Sequence, residues 1–173
     1  IISRGIMSEE NNELIYLELK DGRVVIETRS DLAPLHVKQI KELITKKKYD
    51  GVVFHRVIEG FMAQTGDVAY GNSSNDSYNL SRAGTGGSNL PNIKAEFSNA
   101  THSRGAVSMA RSQDPNSANS QFFICFKDAS FLDGQYSIWG YVIKGMEFVD
   151  NIKLGEPPND PDKIIEMKLA SKD

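Results

Sequence analysis

The sequence predicts one mainly β domain, a sandwich or a barrel, that also contains two helices. Short runs of apolar and β-branched residues recur from residue 15 to residue 169, separated by Gly, Asn and Asp. This pattern is typical of many short strands. Only residues 33–48 show a long helical spacing of apolar side chains. With 173 residues, the chain is long enough for one domain with a sizeable core.

The segment after residue 12 predicts a β-hairpin. Apolar and polar residues alternate over 15–19, which is the period of a half-buried strand. Asp21-Gly22 then predicts a tight turn, and residues 24–26 continue as a second strand. Residues 1–12 lack such a pattern. We therefore expect a disordered or vector-derived tail there, and a single domain over residues 13–173.

Residues 33–48 predict the first helix. Pro34 suits the first turn, because its missing N–H has no partner there in any helix. The apolar residues at helical spacing are Leu35, Ile40, Leu43 and Ile44. Lysines occupy the opposite face, and Asp50-Gly51 predicts a turn after the helix.

Short strand-like runs account for most of the remaining chain. They lie at 52–58, 61–65, 105–110, 121–126, 138–143 and 164–169. Residues 68–93 are polar and rich in Gly, Ser and Asn, which predicts a long ordered surface loop with a functional role. A second helix is predicted near 146–153, and Gly155 and two prolines follow it.

Charge and composition exclude several function classes. The net charge of −3 provides no basic footprint for nucleic acid and disfavours an anionic membrane surface. No apolar run reaches the roughly 20 residues that a spanning helix needs. The single cysteine excludes an internal disulfide and favours a cytoplasmic protein, while a periplasmic one stays possible if a signal peptide was removed.

The sequence lacks the residue patterns that nucleophilic catalysis and metal-dependent catalysis require, so we expect no cofactor. Cys125 lies in an apolar run, where a small buried thiol is inert. His36, His55 and His102 are far apart and show no metal-ligand spacing. We expect His36 to lie in the helix, and His55 to make a structural hydrogen bond from its strand.

The glycine-rich segment 84–87 predicts a turn with positive φ rather than a phosphate loop, because no Lys-Ser/Thr follows it.

Residues 54–58 place Arg56 on the strand face opposite His55. On these residues alone, Arg56 is the solvent-facing side chain of a core strand.

Several ordered motifs resemble the cyclophilin family of peptidyl-prolyl cis/trans isomerases. The main one is Phe54-His55-Arg56-Val57-Ile58-Glu59-Gly60-Phe61-Met62-Ala63-Gln64-Thr65-Gly66-Asp67, and the others are Ser120-Gln121-Phe122-Phe123-Ile124-Cys125 and Phe131-Leu132-Asp133-Gly134-Gln135-Tyr136. Segments 84–87 and 105–110 also fall in the family's order. The likeness covers roughly residues 13–170.

The resemblance implies a closed antiparallel barrel of eight strands, capped by two α-helices, with a substrate groove on its outer surface. It implies that Arg56 and Gln64 are catalytic. A proline pocket would be lined by Phe61, Met62, Phe123 and Leu132, with Tyr136 at its edge. Ala110, Arg111 and Gln121 would line the groove for the residues before proline, and Thr85 and Ser112 would lie near a side pocket.

Three departures from the family pattern matter for ligands. Phe131 occupies the position of a tryptophan in cyclosporin-sensitive members, so the indole donor is missing and reduced cyclosporin affinity is expected. Tyr136 stands where those members often have histidine. Arg111 replaces a commoner asparagine, and residues 113–119 contain one extra residue, so an altered sequence preference is expected.

The implied activity is isomerisation of Xaa-Pro bonds in peptides and unfolded proteins, which assists folding. We expect a monomer without nucleic-acid or membrane partners. Two alternatives stay open: a module that only binds proline-containing segments, and a small-ligand barrel of the lipocalin sort, whose interior would be a cavity.

Overall fold

The computed structural model describes residues 12–170 and contains a single eight-stranded antiparallel sheet with two α-helices. The strands are β1 (Leu14–Leu19), β2 (Gly22–Thr28), β3 (Arg56–Ile58), β4 (Met62–Thr65), β5 (Ala106–Met109), β6 (Phe122–Cys125), β7 (Ile138–Lys144) and β8 (Glu166–Leu169). The helices are α1 (Pro34–Thr45) and α2 (Met146–Asp150), with a short 3-10 helix at Ser130–Leu132. The predicted mainly β class is confirmed. No helix among the described residues is long and apolar enough to cross a membrane.

The predicted hairpin is confirmed, but its turn lies one residue earlier than the predicted Asp21-Gly22, because Gly22 already pairs with Leu19. Leu14 to Leu19 pair with Glu27 to Gly22, and the two-residue turn Lys20-Asp21 joins the strands. Burial alternates along β1, because successive side chains of a strand point to opposite faces. Ile15, Leu17 and Leu19 therefore enter the core, while their neighbours are only half-buried.

The sheet is curled and has the order β3-β4-β6-β5-β7-β2-β1-β8, and its end strands β3 and β8 do not pair with each other. The ends are joined just before their outer strands, where Val53 and Lys163 form an antiparallel bridge. The Phe54 N–H donates to the Asp162 carbonyl at 2.8 Å, and the Ile164 N–H donates to the Val52 carbonyl at 2.8 Å. The predicted strand over 52–58 is therefore correct only for 56–58, and residues 52–53 form isolated bridges instead.

The interior of the curled sheet is packed with side chains. Trp139, Phe122 and Tyr49 are fully buried, and their rings meet edge to face at centroid distances of 5.5 Å. Such pairs add to the burial of apolar area. A packed interior agrees with the cyclophilin resemblance and not with the lipocalin alternative.

Helix α1 packs on β8 and β7, and three of its four predicted apolar residues are buried, together with Val37, which was not predicted. Val37, Ile40, Leu43 and Ile44 are buried, whereas Leu35 is 50% exposed, so its assignment to the apolar face was wrong. The reason lies in the helix itself: at about 100° per residue, Leu35 lies on the face opposite Ile44 and Val37. The Leu35 and His36 N–H groups donate to the carboxylate of Glu96, at 3.1 and 2.9 Å. This contact satisfies two N–H groups of the first turn and fixes the position of the helix start.

A second apolar cluster lies on the outer face of β4, β6 and β5. In β6, Phe122 and Ile124 belong to the main core, whereas Phe123 and Cys125 belong to this outer cluster. All four are buried, because each face of β6 is covered by other side chains. The outer cluster supports the surface that carries the candidate site.

Candidate active site

Arg56 and Gln64 are brought together by the pairing of β3 with β4. Arg56 is directly opposite Gln64, Gln64 is opposite Phe123 in β6, and Phe123 is opposite Ser108 in β5. Side chains opposite one another in adjacent antiparallel strands share a face of the sheet. The row therefore places a guanidinium, an amide and an aromatic ring side by side on the outer surface.

The guanidinium of Arg56 reaches two neighbours and stays accessible. Its Nε donates to Glu156 Oε1 at 3.2 Å, and its Nη1 lies 3.5 Å from Gln64 Oε1, at the long limit of a hydrogen bond. The side chain is 46% exposed. The sequence-based prediction that Arg56 faces away from buried His55 is confirmed.

A depression of about 140 Å³, lined by both polar and apolar side chains, lies next to Arg56. Its floor is made of buried Met62, Phe123 and Leu132, with half-buried Phe61 and Tyr136 beside them. The complete lining is Arg56, Phe61, Met62, Gln64, Ala110, Arg111, Phe123, Leu132 and Tyr136. The structure thus brings together all the predicted site residues except Gln121 and Phe131.

His102 supports this floor, and the sequence reasoning did not find it. Its ring stacks on Phe123 at 6.2 Å and meets Tyr136 edge-on at 6.5 Å. Its Nδ1 lies 2.9 Å from Asp133 Oδ1 and its Nε2 lies 2.9 Å from Ser108 Oγ. Burial lowers the pKa of His102 although the Asp133 carboxylate opposes the shift, and the neutral ring suits an apolar floor.

A second depression, of about 220 Å³, adjoins the first. Gln64, Ala110 and Arg111 line both depressions, and Gln121 lines only the second. Thr85 and Ser112, which the resemblance implied near a side pocket, are also in this second lining.

The two glutamines connect the depressions through side-chain hydrogen bonds. Gln64 Nε2 donates to Gln121 Oε1 at 3.0 Å. Gln121 Nε2 in turn donates to the carbonyls of Gly84 and Gly86, at 3.0 and 2.9 Å. The orientation of Gln64, and through it the surroundings of Arg56, therefore depends on the course of the glycine-rich loop.

Buried Asp67 sets the course of that loop. One carboxylate oxygen accepts the N–H groups of Gly84 and Gly86, at 2.8 and 2.9 Å, and the other accepts those of Ala69 and Tyr70, at 3.0 and 2.9 Å. Gly84 has φ of 106°, which confirms the predicted positive-φ turn. Sequence reasoning placed Asp67 only at the end of a motif, and no local pattern indicated its distant partners.

Arg111 forms a fixed ridge between the two depressions. Its Nε and Nη2 donate to the Gln135 carbonyl at 3.1 and 2.7 Å, and its Nη1 donates to the Ser112 carbonyl at 2.9 Å and weakly to the Gln113 carbonyl at 3.5 Å. The guanidinium carbon also lies 4.5 Å from the centroid of the Tyr136 ring, in cation–π contact. Arg111 thereby joins the segments that carry Ser112 and Tyr136.

Phe131 lies beside the first depression and is not part of its lining. It sits on the 3-10 helix with 65% of its surface exposed, and its ring contacts Phe61 at a centroid distance of 5.5 Å. An exposed ring at this place is available to a ligand larger than one proline.

The expectation for His55 was wrong, whereas that for Cys125 is confirmed. Neither ring nitrogen of buried His55 has a hydrogen-bond partner of good geometry among the described residues, although the Gln121 side chain lies close enough to oppose the lowering of its pKa. Burial lowers the pKa of His55, with a partial offset from the Asp67 carboxylate. Cys125 is buried, and burial raises the pKa of its thiol to about 12, so the thiol is inert near neutral pH.

Comparison with protein families gives one match over nearly the whole described chain. Residues 14–169 match the family model described as cyclophilin type peptidyl-prolyl cis-trans isomerase/CLD. A Brucella abortus protein named as a probable peptidyl-prolyl cis-trans isomerase is 56% identical over 162 residues, which are 91% of this chain and 82% of that protein. A peptidyl-prolyl cis-trans isomerase of Acinetobacter baylyi is 33% identical over 175 residues, covering 92% of this chain and 87% of the relative.

Solved structures agree with this match. The cyclophilin AquaCyp293 from Hirschia baltica superposes with a TM-score of 0.78 at 26% identity, covering 98% of this chain and 80% of that one. A cyclophilin type peptidyl-prolyl cis-trans isomerase from Cryptosporidium parvum, solved in the presence of the dipeptide Ala-Pro, gives a TM-score of 0.78 at 25% identity. It covers 92% of this chain and 99% of its own.

Proposed function

This chain belongs to the cyclophilin-type peptidyl-prolyl cis-trans isomerases, and from that membership we propose that Arg56 and the adjoining depression carry out its reaction. The substrates are Xaa-Pro bonds of peptides and unfolded proteins. The observation that carries the proposal is the juxtaposition of an accessible guanidinium with an apolar floor in one depression.

The reaction needs no bond to break. A peptide bond resists rotation by about 18–20 kcal/mol because the nitrogen lone pair is conjugated with the carbonyl. Twisting an Xaa-Pro bond ends this conjugation and localises the lone pair on the proline nitrogen. A donor aimed at that nitrogen is favoured in the twisted state over the planar one, which lowers the barrier.

The apolar floor of this depression holds the pyrrolidine ring still. Met62, Phe123 and Leu132 are nearly fully buried, so their positions are set by the outer cluster before any substrate arrives. With the ring held, the carbonyl of the preceding residue is the part that swings. The Ala-Pro dipeptide present with the Cryptosporidium parvum relative supports a proline-containing ligand for this chain as well.

Arg56 provides the donor. The guanidinium stays charged, and its five donors have a fixed planar arrangement. Contacts to Glu156 and Gln64 engage Nε and one side of Nη1, so the remaining N–H groups are free for the proline carbonyl and nitrogen. Gln64, held by Gln121, limits the positions that the guanidinium can adopt.

The proposal is tested by NMR exchange measurements on an Ala-Pro-Phe peptide with wild type, Arg56→Ala and Arg56→Lys. We expect Arg56→Ala to lower kcat/KM by roughly two to three orders of magnitude, the usual effect of losing one preorganised donor. Arg56→Lys keeps the charge but loses the planar fork, so an intermediate loss is expected. Arg104→Ala removes an exposed arginine that pairs with Asp150 outside the depressions, and it should leave the rate unchanged.

Two results would count against the proposal in different ways. If wild type binds the peptide without accelerating its exchange, the chain is a binding module for proline-containing segments. If Arg56→Ala keeps the wild-type rate while circular dichroism shows a folded protein, the isomerase stands and the role of Arg56 is wrong.

A further inference from the structure

We propose that Arg111 makes this enzyme favour peptides with an acidic residue two positions before the proline. The inference rests on the proposed function, since it assumes that the proline ring occupies the first depression. A chain running from that depression toward the second crosses the ridge formed by Ala110 and Arg111, because both residues line both depressions.

Charge is distributed unevenly between the groove and the rest of the molecule. The chain carries a net charge of −3. Among residues 12–170, however, no aspartate or glutamate lines either depression, while Arg56 lines the first and Arg111 lines both. The groove is therefore locally positive on an acidic protein, and it attracts a carboxylate more than an amine.

Arg111 keeps its charge uncompensated. All its hydrogen-bond acceptors are backbone carbonyl oxygens, of Gln135, Ser112 and Gln113. Among residues 12–170, no carboxylate oxygen lies within ion-pair distance of the Arg111 guanidinium. Arg56 differs, because Glu156 partly neutralises it.

The guanidinium of Arg111 is also held in place before a ligand binds. Nε, Nη1 and Nη2 all donate to the protein, and the Tyr136 ring lies at 4.5 Å from the guanidinium carbon. One N–H of Nη2 remains for a ligand, since Nη2 has two and donates one to Gln135. A preordered cation loses little side-chain entropy on binding, so its attraction for a carboxylate is retained.

The polar groups that line the second depression with Arg111 are largely satisfied within the protein. Ser112 Oγ donates to Ser117 Oγ at 2.7 Å, and Thr85 Oγ1 donates to the Arg82 carbonyl at 2.7 Å. Gln121 is engaged with Gly84, Gly86 and Gln64. Arg111 is therefore the group in this lining that distinguishes a charged substrate side chain from a neutral one.

The test compares acetylated peptides Xaa-Ala-Pro-Phe in which Xaa is Glu, Gln or Lys. Exchange of the Ala-Pro bond is measured by NMR, which avoids the specificity of a coupling protease. For wild type at low salt, we expect kcat/KM to be about two- to fivefold higher for Glu than for Gln, as for one exposed ion pair, and lower for Lys than for Gln. The preference should weaken as salt rises.

Three variants separate the charge of Arg111 from its structural role. Arg111→Gln should bring the ratio of kcat/KM for the Glu peptide to kcat/KM for the Gln peptide close to one. This holds even if the loss of the Tyr136 contact slows all peptides equally. Arg111→Lys should keep part of the ratio. Lys38→Gln removes one positive charge from an exposed position of α1, outside both depressions, and should keep the full ratio.

The outcomes distinguish this inference from the proposed function. Equal rates for the three peptides with wild type, or an unchanged ratio in Arg111→Gln, would overturn the acidic preference and leave the isomerase intact. If wild type accelerates none of the peptides, the proposed function fails. The ratio of Kd values from titration of the same peptides then decides the preference: a tighter Glu peptide supports it, and equal affinities overturn it.

Discussion

The Nε of Arg56 donates to Glu156 Oε1 at 3.2 Å, which ties the end of the sheet at β3 to the segment after α2. Both partners are largely in solvent, with side-chain exposures of 46% and 56%. An exposed ion pair of this kind contributes about 0–1 kcal/mol. The contact therefore modulates the charge at the groove more than it stabilises the fold.

Replacing Glu156 by Gln should leave the isomerase active. We expect kcat/KM for a neutral Ala-Pro-Phe peptide to stay within about twofold, because an exposed pair contributes little. For a peptide with an acidic residue, kcat/KM should rise, since the substitution removes a carboxylate beside Arg56. The measurement is NMR exchange, with exposed Glu59→Gln as the matched charge control. A tenfold loss with the neutral peptide would mean that Glu156 orients Arg56 during the reaction.

Asp67→Asn should destabilise the protein. The carboxylate accepts four backbone N–H groups, whereas an amide has a single acceptor oxygen and turns two donors toward N–H groups that need acceptors. We expect the free energy of unfolding to fall by about 2–4 kcal/mol, as for other buried hydrogen-bond networks. Urea unfolding at pH 7 measures it. Asp76→Asn makes the same chemical change at an exposed position of the same loop and should alter stability by less than about 0.5 kcal/mol. Equal stabilities of the two variants would refute the role of Asp67.

Stability should increase as pH rises through the range just below 6.5, the ordinary pKa of histidine. Burial is the largest cause that lowers the pKa of each of the three histidines, His36, His55 and His102, below 6.5. At pH values near and below 6.5, the unfolded chain therefore binds more protons than the folded protein does. The stability that the neutral rings contribute is complete above 6.5 and is lost as pH falls from there toward the folded pKa values. Each such histidine contributes a slope of at most about 1.4 kcal/mol per pH unit.

His55→Leu provides the test of this dependence. His55 has no hydrogen-bond partner at either ring nitrogen, so an apolar side chain of similar size removes a titrating group without breaking a hydrogen bond. We expect the slope of unfolding free energy against pH, from urea titrations between pH 5 and 8, to be smaller in the variant than in wild type. An identical slope would show that His55 does not titrate in this range when the protein unfolds.

Phe131→Trp should increase the affinity for cyclosporin. The family resemblance implies an indole N–H at this position in sensitive members, and Phe131 has no donor. The ring is 65% exposed and contacts Phe61, so a larger ring has room at the surface. Isothermal titration of wild type, Phe131→Trp and Phe131→Leu measures the effect. Tighter binding is expected only for tryptophan, and equal affinities of Trp and Leu variants would contradict the assigned role.

Much of the fold followed from local pattern. Alternation over residues 15–19 was predicted correctly, because the direction of a side chain follows from strand period. Pro34 at the start of α1 was also predicted correctly, and the hairpin turn was placed one residue too late. The same period placed Arg56 outside and His55 inside. The helical period also places Leu35 on the face opposite Ile44, so its assignment to the apolar face was an error in applying the pattern. The pattern could not predict that Glu96, 61 residues away, accepts the N–H of Leu35 at the start of α1.

The sequence by itself determined the family, the strand that carries Arg56 and the face on which that arginine lies. Its ordered motifs identify the cyclophilin-type isomerases, and side-chain alternation requires only neighbouring residues. Tertiary structure decided the surroundings of Arg56: the ion pair with Glu156, 100 residues away, and the hydrogen bonds that connect Gln64 through Gln121 and the glycine-rich loop to Asp67. Such contacts depend on how distant loops meet across the sheet, and no local periodicity encodes which distant donor reaches which acceptor.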